Sequence, residues 1–176
     1  MRQRLVFLGT LVVLWFSFTS GHAQDGGRLD PGKQVQRDVS AILHSLYRGE
    51  VEVVLRYTHP AIVQMLGGPD KARRALNDGA AQMAKAEMKI ESLSFPRSPE
   101  FFDGGQRRFV FVPTLLIIVA KGARIESLNF QLGILEPGKT DWKYVEGSRV
   151  TPENAQALFP GFPKERALPP FYRKRI

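Results

Sequence analysis

The sequence predicts an α+β fold in which three N-terminal helices pack on a curved, mainly four-stranded antiparallel sheet. Apolar residues recur at three- and four-residue spacing up to Ala86, and at a spacing of two beyond it. All helical segments precede the strands, and short turns join one strand to the next. The helices are therefore expected to cover one face of the sheet.

Breaks in the apolar pattern separate the helices. The first helix is expected to end at Gly49, and its apolar stripe consists of Val35, Val39, Ile42, Leu43, Leu46 and Tyr47. A second, short helix is predicted in EVEVVLRYT, where the valines would also suit a strand, and AIVQML adds a further helical turn or two. The third begins at Pro69, after Gly67 and Gly68, with Ala72, Ala75, Leu76 and Met83 toward the core.

Four strands are expected after the helices. They are EMKIESLSF with a slip at Ser92, RRFVFVPTLLIIVAKG, ARIESLNFQLGILE and DWKYVEGS. The second is apolar on both faces and is predicted to be central and covered. PRSPEFFDGGQ, between the first two, is predicted as loop and turn. In the third, Ser127, Asn129 and Gln131 share one face, and Leu128 and Phe130 share the other.

The two ends of the chain differ in composition from the middle. Residues 1–23 have the basic start, apolar run and small residues of a signal peptide, with cleavage after Ala23. The run is shorter than the roughly 20 residues that a membrane span needs, which disfavours an uncleaved anchor. Residues 24–33 are predicted as a flexible leader and 34–150 as the domain. A secreted or periplasmic protein without a transmembrane span after cleavage is expected.

Residues 151–176 form a tail rich in proline and aromatic residues. The tail either lies extended across the domain with Phe159, Phe162 and Phe171 docked, or waits for a partner. Docking is favoured, because large apolar side chains are rarely left in water. The basic run at residues 173–175 is interpreted as a solubilising end.

Composition excludes several chemistries. The chain has no cysteine, so disulfides, thiol nucleophiles and thiolate metal sites are excluded. His44 and His59 lack a convergent carboxylate pair, and no metal or cofactor is expected. Loss of Arg2 and Arg4 with the leader lowers the formal net charge from +8 to +6. The basic residues are mostly scattered among acids, so nucleic acid is not an expected partner.

Several segments together resemble a known superfamily. YRGEVEVVLRYTHP, LGGPDKARRAL, the long central strands and DWKYVEGS resemble the nuclear transport factor 2-like superfamily over residues 33–148. The end LPPFY resembles the tails of its secreted bacterial members. The resemblance implies a cone-shaped domain with a pocket at its open end. That superfamily includes isomerases, dehydratases and protein-binding subunits, so the fold alone does not choose the function.

The leading functional hypothesis is a secreted, non-enzymatic domain that binds a small apolar ligand or a protein partner through the pocket or the sheet face. The candidate contact residues are Phe109, Phe111, Leu128, Phe130, Trp142 and Tyr144. The resemblance also implies a homodimer that pairs sheet to sheet. The polar face of Ser127, Asn129 and Gln131 is the expected dimer surface.

Two alternatives stay open. An isomerase or lyase acting on a small hydrophobic substrate would need Tyr47 or Tyr57 as hydrogen-bond donor, His59 as base, and a carboxylate. That carboxylate would come from Asp103 or Glu126. His59 also has a structural interpretation, since a His-Pro step can hydrogen-bond a free backbone group at a helix end. The second alternative is a partner of an envelope or secretion assembly, recruited through the tail.

Overall fold

The computed structural model describes residues 30–176. The predicted signal peptide and residues 24–29 of the predicted leader lie outside the described residues. The helices are α1 Pro31–Arg48, α2 Val51–Tyr57, α3 Pro60–Met65, α4 Pro69–Lys85 and α5 Pro152–Leu158. The strands are β1 Lys89–Ser94, β2 Glu100–Gly104, β3 Arg107–Ala120, β4 Ala123–Leu135, β5 Lys143–Glu146 and β6 Tyr172–Arg175. The α+β class is confirmed.

Helix α1 follows the predicted apolar stripe. Its buried residues include Val35, Val39, Ile42 and Leu43. Asp30 caps its first turn by accepting a hydrogen bond of 2.8 Å from the backbone N–H of Gly32. Gly49 ends it with φ of 72°, a left-handed conformation that glycine adopts without steric cost. The helix begins at Pro31, within the segment predicted as leader.

The strands form one antiparallel sheet with β3 and β4 at its centre. Strands β1 and β2 both pair with one edge of β3, while β5 and β6 pair with the outer edge of β4. A register shift between Ile90 and Ser92 in β1 confirms the predicted slip. Pro113 lies where that edge of β3 has no partner, since β2 pairs as far as Phe111 and β1 begins at Leu115. A proline has no N–H for a ladder, so this gap suits it.

The β3–β4 hairpin is the longest pairing and closes through two residues. Lys121 and Gly122 have φ of 46° and 78°, and Ala120 pairs with Ala123. Positive φ at both loop residues is the requirement of a type I′ turn, whose twist matches that of the strands.

Four described elements were not in the predicted count of three helices and four strands. β2 lies in the segment predicted as a loop, and its turn falls at Gly105 and Gln106. α3 is a separate helix, α5 lies where a short turn was predicted near Glu153–Leu158, and β6 lies in the part of the tail predicted to be extended. Pro152 at the first turn, with the reciprocal hydrogen bonds of Thr151 and Asn154, explains why α5 forms there.

Both faces of the sheet are covered. One side, here called the helix face, carries Val110, Val112, Leu116 and Ile118 and packs on α1. The opposite side, the tail face, carries Phe109, Phe111, Phe130 and Leu132. It packs on Phe159 and Phe162 of the C-terminal segment. The tail is therefore docked through Phe159 and Phe162, as predicted, whereas Phe171 is exposed.

No helix within residues 30–176 has both the length and the apolar character that crossing a bilayer requires.

Candidate ligand-binding cavity

A cavity of about 940 Å³ lies between the helices and the helix face of the sheet. This volume falls within the range of about 300–1,000 Å³ that is typical of small-molecule sites. Its walls are mainly apolar, with side chains from all four N-terminal helices, for example Leu46, Leu55, Ile62 and Leu76.

The helices α3 and α4 explain why this space is open. Helix α3 has no fully buried residue, and α4 has only Ala72. The apolar side chains of Ile62, Leu66 and Leu76 are only half-buried, and all three line the cavity. Ala75, predicted to lie in the core, also lines the cavity. These helices therefore turn their apolar residues toward unfilled space rather than packing them on the sheet.

Exposed apolar residues gather at the cavity. Four large hydrophobic residues of the described chain are strongly exposed, and three of them, Met65, Phe171 and Tyr172, line the cavity. Clustered exposure of this kind is typical of a binding site rather than of ordinary surface.

Polar side chains run along the sheet side of the cavity. In β4, Ser127, Asn129 and Gln131 alternate with apolar residues and point to the helix face. Thr114 of β3 lies directly opposite Asn129 and also lines the cavity. These four residues are called the polar floor below.

Gln131 is the most informative residue of the polar floor. It is only 4% exposed. Among residues 30–176 its carboxamide takes part in no side-chain hydrogen bond. Every fully enclosed side-chain nitrogen or oxygen in that range has a partner, so the amide atoms are not fully enclosed. The carboxamide therefore opens onto the cavity. A buried amide without a partner costs free energy, which a ligand or water can recover.

One carboxylate, Glu146, reaches the cavity wall. It lies opposite Gln131 in the β4–β5 pairing and lines the cavity. It accepts hydrogen bonds from Asn129 Nδ2 and from Ser148 Oγ, the latter at 2.7 Å. Arg149 lies 3.8 Å from the same carboxylate. Polar groups of the protein therefore already satisfy the carboxylate of Glu146.

Four tyrosines line the cavity. They are Tyr47 of α1, Tyr57 of α2, Tyr144 of β5 and Tyr172 of β6. The Tyr144 hydroxyl donates to Asp38 Oδ2 at 3.0 Å, and burial together with this carboxylate raises the pKa of Tyr144 far above its usual value. Burial also raises the pKa of Tyr47. Both hydroxyls therefore stay protonated, and that of Tyr144 already donates its hydrogen to Asp38.

The predicted apolar contact residues separate into two groups. Leu128 and Tyr144 line the cavity. Phe109, Phe111 and Phe130 instead lie buried on the tail face, where they pack with Phe159 and Phe162. Trp142 packs edge-on against Phe101, with ring centroids 5.8 Å apart, and does not line the cavity either.

The two faces of β4 are covered differently from what the sequence predicted. The apolar face was expected to line the pocket, and the polar face to lie outside. In the structure the C-terminal segment covers Phe130 and Leu132 of the apolar face, whereas Leu128 of that face does line the cavity. Ser127, Asn129 and Gln131 point toward the helices and line the cavity. They do not form an outer surface on which a second copy could pair.

His59 is a helix cap and does not line the cavity. Its Nδ1 atom accepts from the backbone N–H of Ala61 at 3.1 Å, which is the helix-end bond that the sequence predicted. Nε2 therefore carries the proton and donates to Glu136 Oε1 at 3.2 Å. Arg107 also binds that carboxylate, at 2.9 and 3.0 Å. Burial lowers the pKa of His59, although Glu136 opposes the change.

Neither of the predicted carboxylates, Asp103 and Glu126, lines the cavity that contains Tyr47 and Tyr57. Glu126 shares the tail face with Leu128, and it binds Lys174 at 2.9 Å and Tyr172 at 2.7 Å. Those two hydrogen bonds lower the pKa of Glu126. Asp103 is exposed on β2, 3.9 Å from Arg108. The predicted donor, base and carboxylate thus do not converge on one substrate position.

Sequence reasoning missed the polar floor and Glu146 as cavity groups. Thr114 was the visible signal, since it is the only polar side chain within an otherwise apolar stretch of β3. Its alignment with Asn129 depends on the turn at Lys121 and Gly122, whose register was not predicted. No cluster of three potential metal ligands occurs among residues 30–176.

Comparison with known proteins assigns no family to this chain. No protein-family model matches it, and no curated protein or solved structure matches it. Function is therefore inferred from the cavity, its polar floor and the residues at its rim.

Proposed function

We propose that this protein is a non-enzymatic binding domain whose cavity takes a small, mainly apolar ligand. The carboxamide of Gln131 carries the proposal, because it forms no side-chain hydrogen bond among residues 30–176 and opens onto a mainly apolar cavity of about 940 Å³. Apolar walls supply affinity, and a few polar groups supply orientation. We further propose that the chain is a divergent, secreted member of the nuclear transport factor 2-like superfamily. The order of the elements, with helices before the sheet, and the cavity between helices and sheet support this assignment.

The same geometry argues against the isomerase or lyase alternative in its predicted form. His59 and Glu126 lie outside the cavity, and each is held by other side chains. An enzyme in this cavity would have to use Glu146, whose oxygens already accept from Asn129 and Ser148. Recruitment through the tail is less supported than ligand binding, since Phe159 and Phe162 are buried in the core.

The proposal is tested by filling the cavity. Ala75 and Ala81 are both exposed on α4, but only Ala75 lines the cavity, so Ala75→Phe adds a ring at the cavity wall and Ala81→Phe adds one elsewhere. The neutral fluorescent probe N-phenyl-1-naphthylamine is titrated into residues 24–176 and both variants. We expect saturable binding to the unmodified protein and to Ala81→Phe, and loss of binding in Ala75→Phe. Equal binding to all three, or none to the unmodified protein, would contradict the proposal.

A further inference from the structure

The polarity of the cavity is uneven, and this bears on what it binds. Among its lining residues the charged ones are Glu146, Arg149 and Arg173. Arg149 lies 3.8 Å from Glu146, so these two opposite charges sit at the same end. Arg173 belongs to β6, at the other end of the polar floor.

The strand register places Arg173 on the cavity side of β6, where the residue is exposed at the cavity rim. In the pairing of β4 with β6, Arg173 lies opposite Ser127, and cross-strand partners share a face of the sheet. Ser127 belongs to the polar floor, so Arg173 also points to the helix face. Its neighbour Lys174 points to the tail face, where it binds Glu126 at 2.9 Å.

Arg173 has no anionic partner within the described part of the chain. Two basic residues near it are paired, Arg124 with Glu91 and Lys174 with Glu126. Arg173 itself forms neither a salt bridge nor a side-chain hydrogen bond among residues 30–176. Tyr47 lines the same cavity as Arg173, and the positive charge of Arg173 opposes the rise in the pKa of Tyr47 that burial causes.

The carboxylate of Glu146 is well separated from the guanidinium of Arg173. Glu146 pairs with Gln131, four residues along β4 from Ser127, a distance of about 13 Å at ~3.3 Å per residue. A ligand carboxylate beside Arg173 would therefore avoid strong repulsion from Glu146. Leu46, Leu116 and Ile118 line the cavity between the helices and the sheet, and offer contacts for an apolar body.

We propose that the ligand is an amphiphile with one carboxylate and an apolar body. Its carboxylate is held at the β6 end by Arg173, with Tyr47 as a second donor, and its body lies against α1 to α4. A guanidinium binds a carboxylate through two parallel hydrogen bonds and is more weakly hydrated than an ammonium. This inference rests on the proposed function, since it names the ligand class of the same cavity.

The test compares three probes with the same twelve-carbon chain and different head groups. Dodecanoate, dodecan-1-ol and dodecyltrimethylammonium are titrated calorimetrically, below their micelle concentrations, into residues 24–176. The variant is Arg173→Gln. The control is Arg175→Gln, which removes the same charge from the same strand at a residue that does not line the cavity.

We expect dodecanoate to bind most tightly, and Arg173→Gln to weaken it roughly tenfold or more, as for other hydrogen bonds to charged groups. Dodecanol should be unaffected by either variant. Equal affinity for dodecanoate and dodecanol, an unchanged affinity in Arg173→Gln, or preference for the ammonium probe would overturn the carboxylate proposal but leave apolar binding intact. Binding of no probe, by contrast, would remove the proposed function itself.

Discussion

The imidazole of His59 donates to Glu136 across 3.2 Å, although 77 residues separate the two in the chain. Arg107 binds the same carboxylate, and its Nη1 donates to the carbonyl of Pro160 at 2.7 Å. This group therefore ties together the start of α3, the end of β4, the start of β3 and the docked tail. A histidine in this position contributes to stability in a way that depends on pH.

Acidification is expected to destabilise the protein through His59. Burial lowers the pKa of this ring below its ordinary 6.5, so below about pH 6.5 the unfolded chain binds more protons than the folded one. The stability that His59 contributes is complete above that pH and is lost as the pH falls toward the folded-state pKa. The melting temperature should therefore decrease between about pH 7.5 and 5.5.

His59→Asn isolates this effect, because an asparagine oxygen can still accept from the backbone of Ala61. The variant should melt lower at neutral pH, since it loses the bond to Glu136, but its loss on acidification should be smaller. His44→Asn is the control and should keep the full decrease. If His59→Asn and the unmodified protein lose stability equally on acidification, the histidine is not the titrating group.

Phe162→Ala is expected to lower the free energy of unfolding by about 3–5 kcal/mol. Phe162 is 3% exposed, and its ring lies 5.3 Å from Phe109 and 5.8 Å from Phe102 between centroids. Truncation leaves a cavity on the tail face of the sheet. Phe171→Ala, at a residue that is 56% exposed, should change stability by no more than about 0.5 kcal/mol. Urea unfolding measures both; similar losses would show that the tail is not docked through Phe162.

Gly104→Ala should be destabilising by about 1–3 kcal/mol. A Cβ at Gly104 would overlap the carbonyl oxygen of Gly161 and approach the Phe109 ring to 2.8 Å, so the tail would have to move away from β2. Gly79→Ala, within α4, meets no atom within 4 Å and should stabilise by about 0.5–1 kcal/mol through helix propensity. Thermal unfolding of the two variants should shift in opposite directions; a neutral Gly104→Ala would contradict the close contact.

Gln131→Leu should leave stability unchanged or raise it. Among residues 30–176 the carboxamide forms no side-chain hydrogen bond and opens onto the cavity, so an apolar side chain loses no protein hydrogen bond. Asn129→Leu is the matched comparison on the same strand face. This substitution should lower the free energy of unfolding by about 1–3 kcal/mol, because Asn129 donates a hydrogen bond to Glu146 and accepts one from the backbone N–H of Phe130. A large loss in Gln131→Leu, measured in urea, would mean that the amide has a protein partner.

Local pattern was enough to predict α1, α2, α4 and the strands β1, β3, β4 and β5 in their order along the chain. The apolar stripe of α1, the slip near Ser92 and the buried β3 each depend on residues close in sequence. β2 was missed because its five residues stand beside prolines and glycines that dominate the local signal. β6 was missed because a strand of polar, exposed residues exists only through its pairing with β4.

The site could be predicted only in outline. Alternation correctly divided β4 into two faces, but which face is inside depends on what covers each of them. Phe159 and Phe162 cover the apolar face from a segment that follows the sheet in sequence, and nothing local to Phe130 reports it. The same limit applies to Arg173, whose direction follows from its pairing with Ser127.

The two-residue turn at Lys121 and Gly122 has a kinetic consequence. It makes β3 and β4 neighbours in sequence as well as in space, so this hairpin can form early, with little loop-closure entropy. The contacts of Phe162 with β2 and β3 close a much longer loop and are expected to form after the folding transition state. Phe162→Ala should then accelerate unfolding and leave the folding rate nearly unchanged, which stopped-flow measurements in urea would reveal. The order of assembly would thus be sheet first and covering tail last.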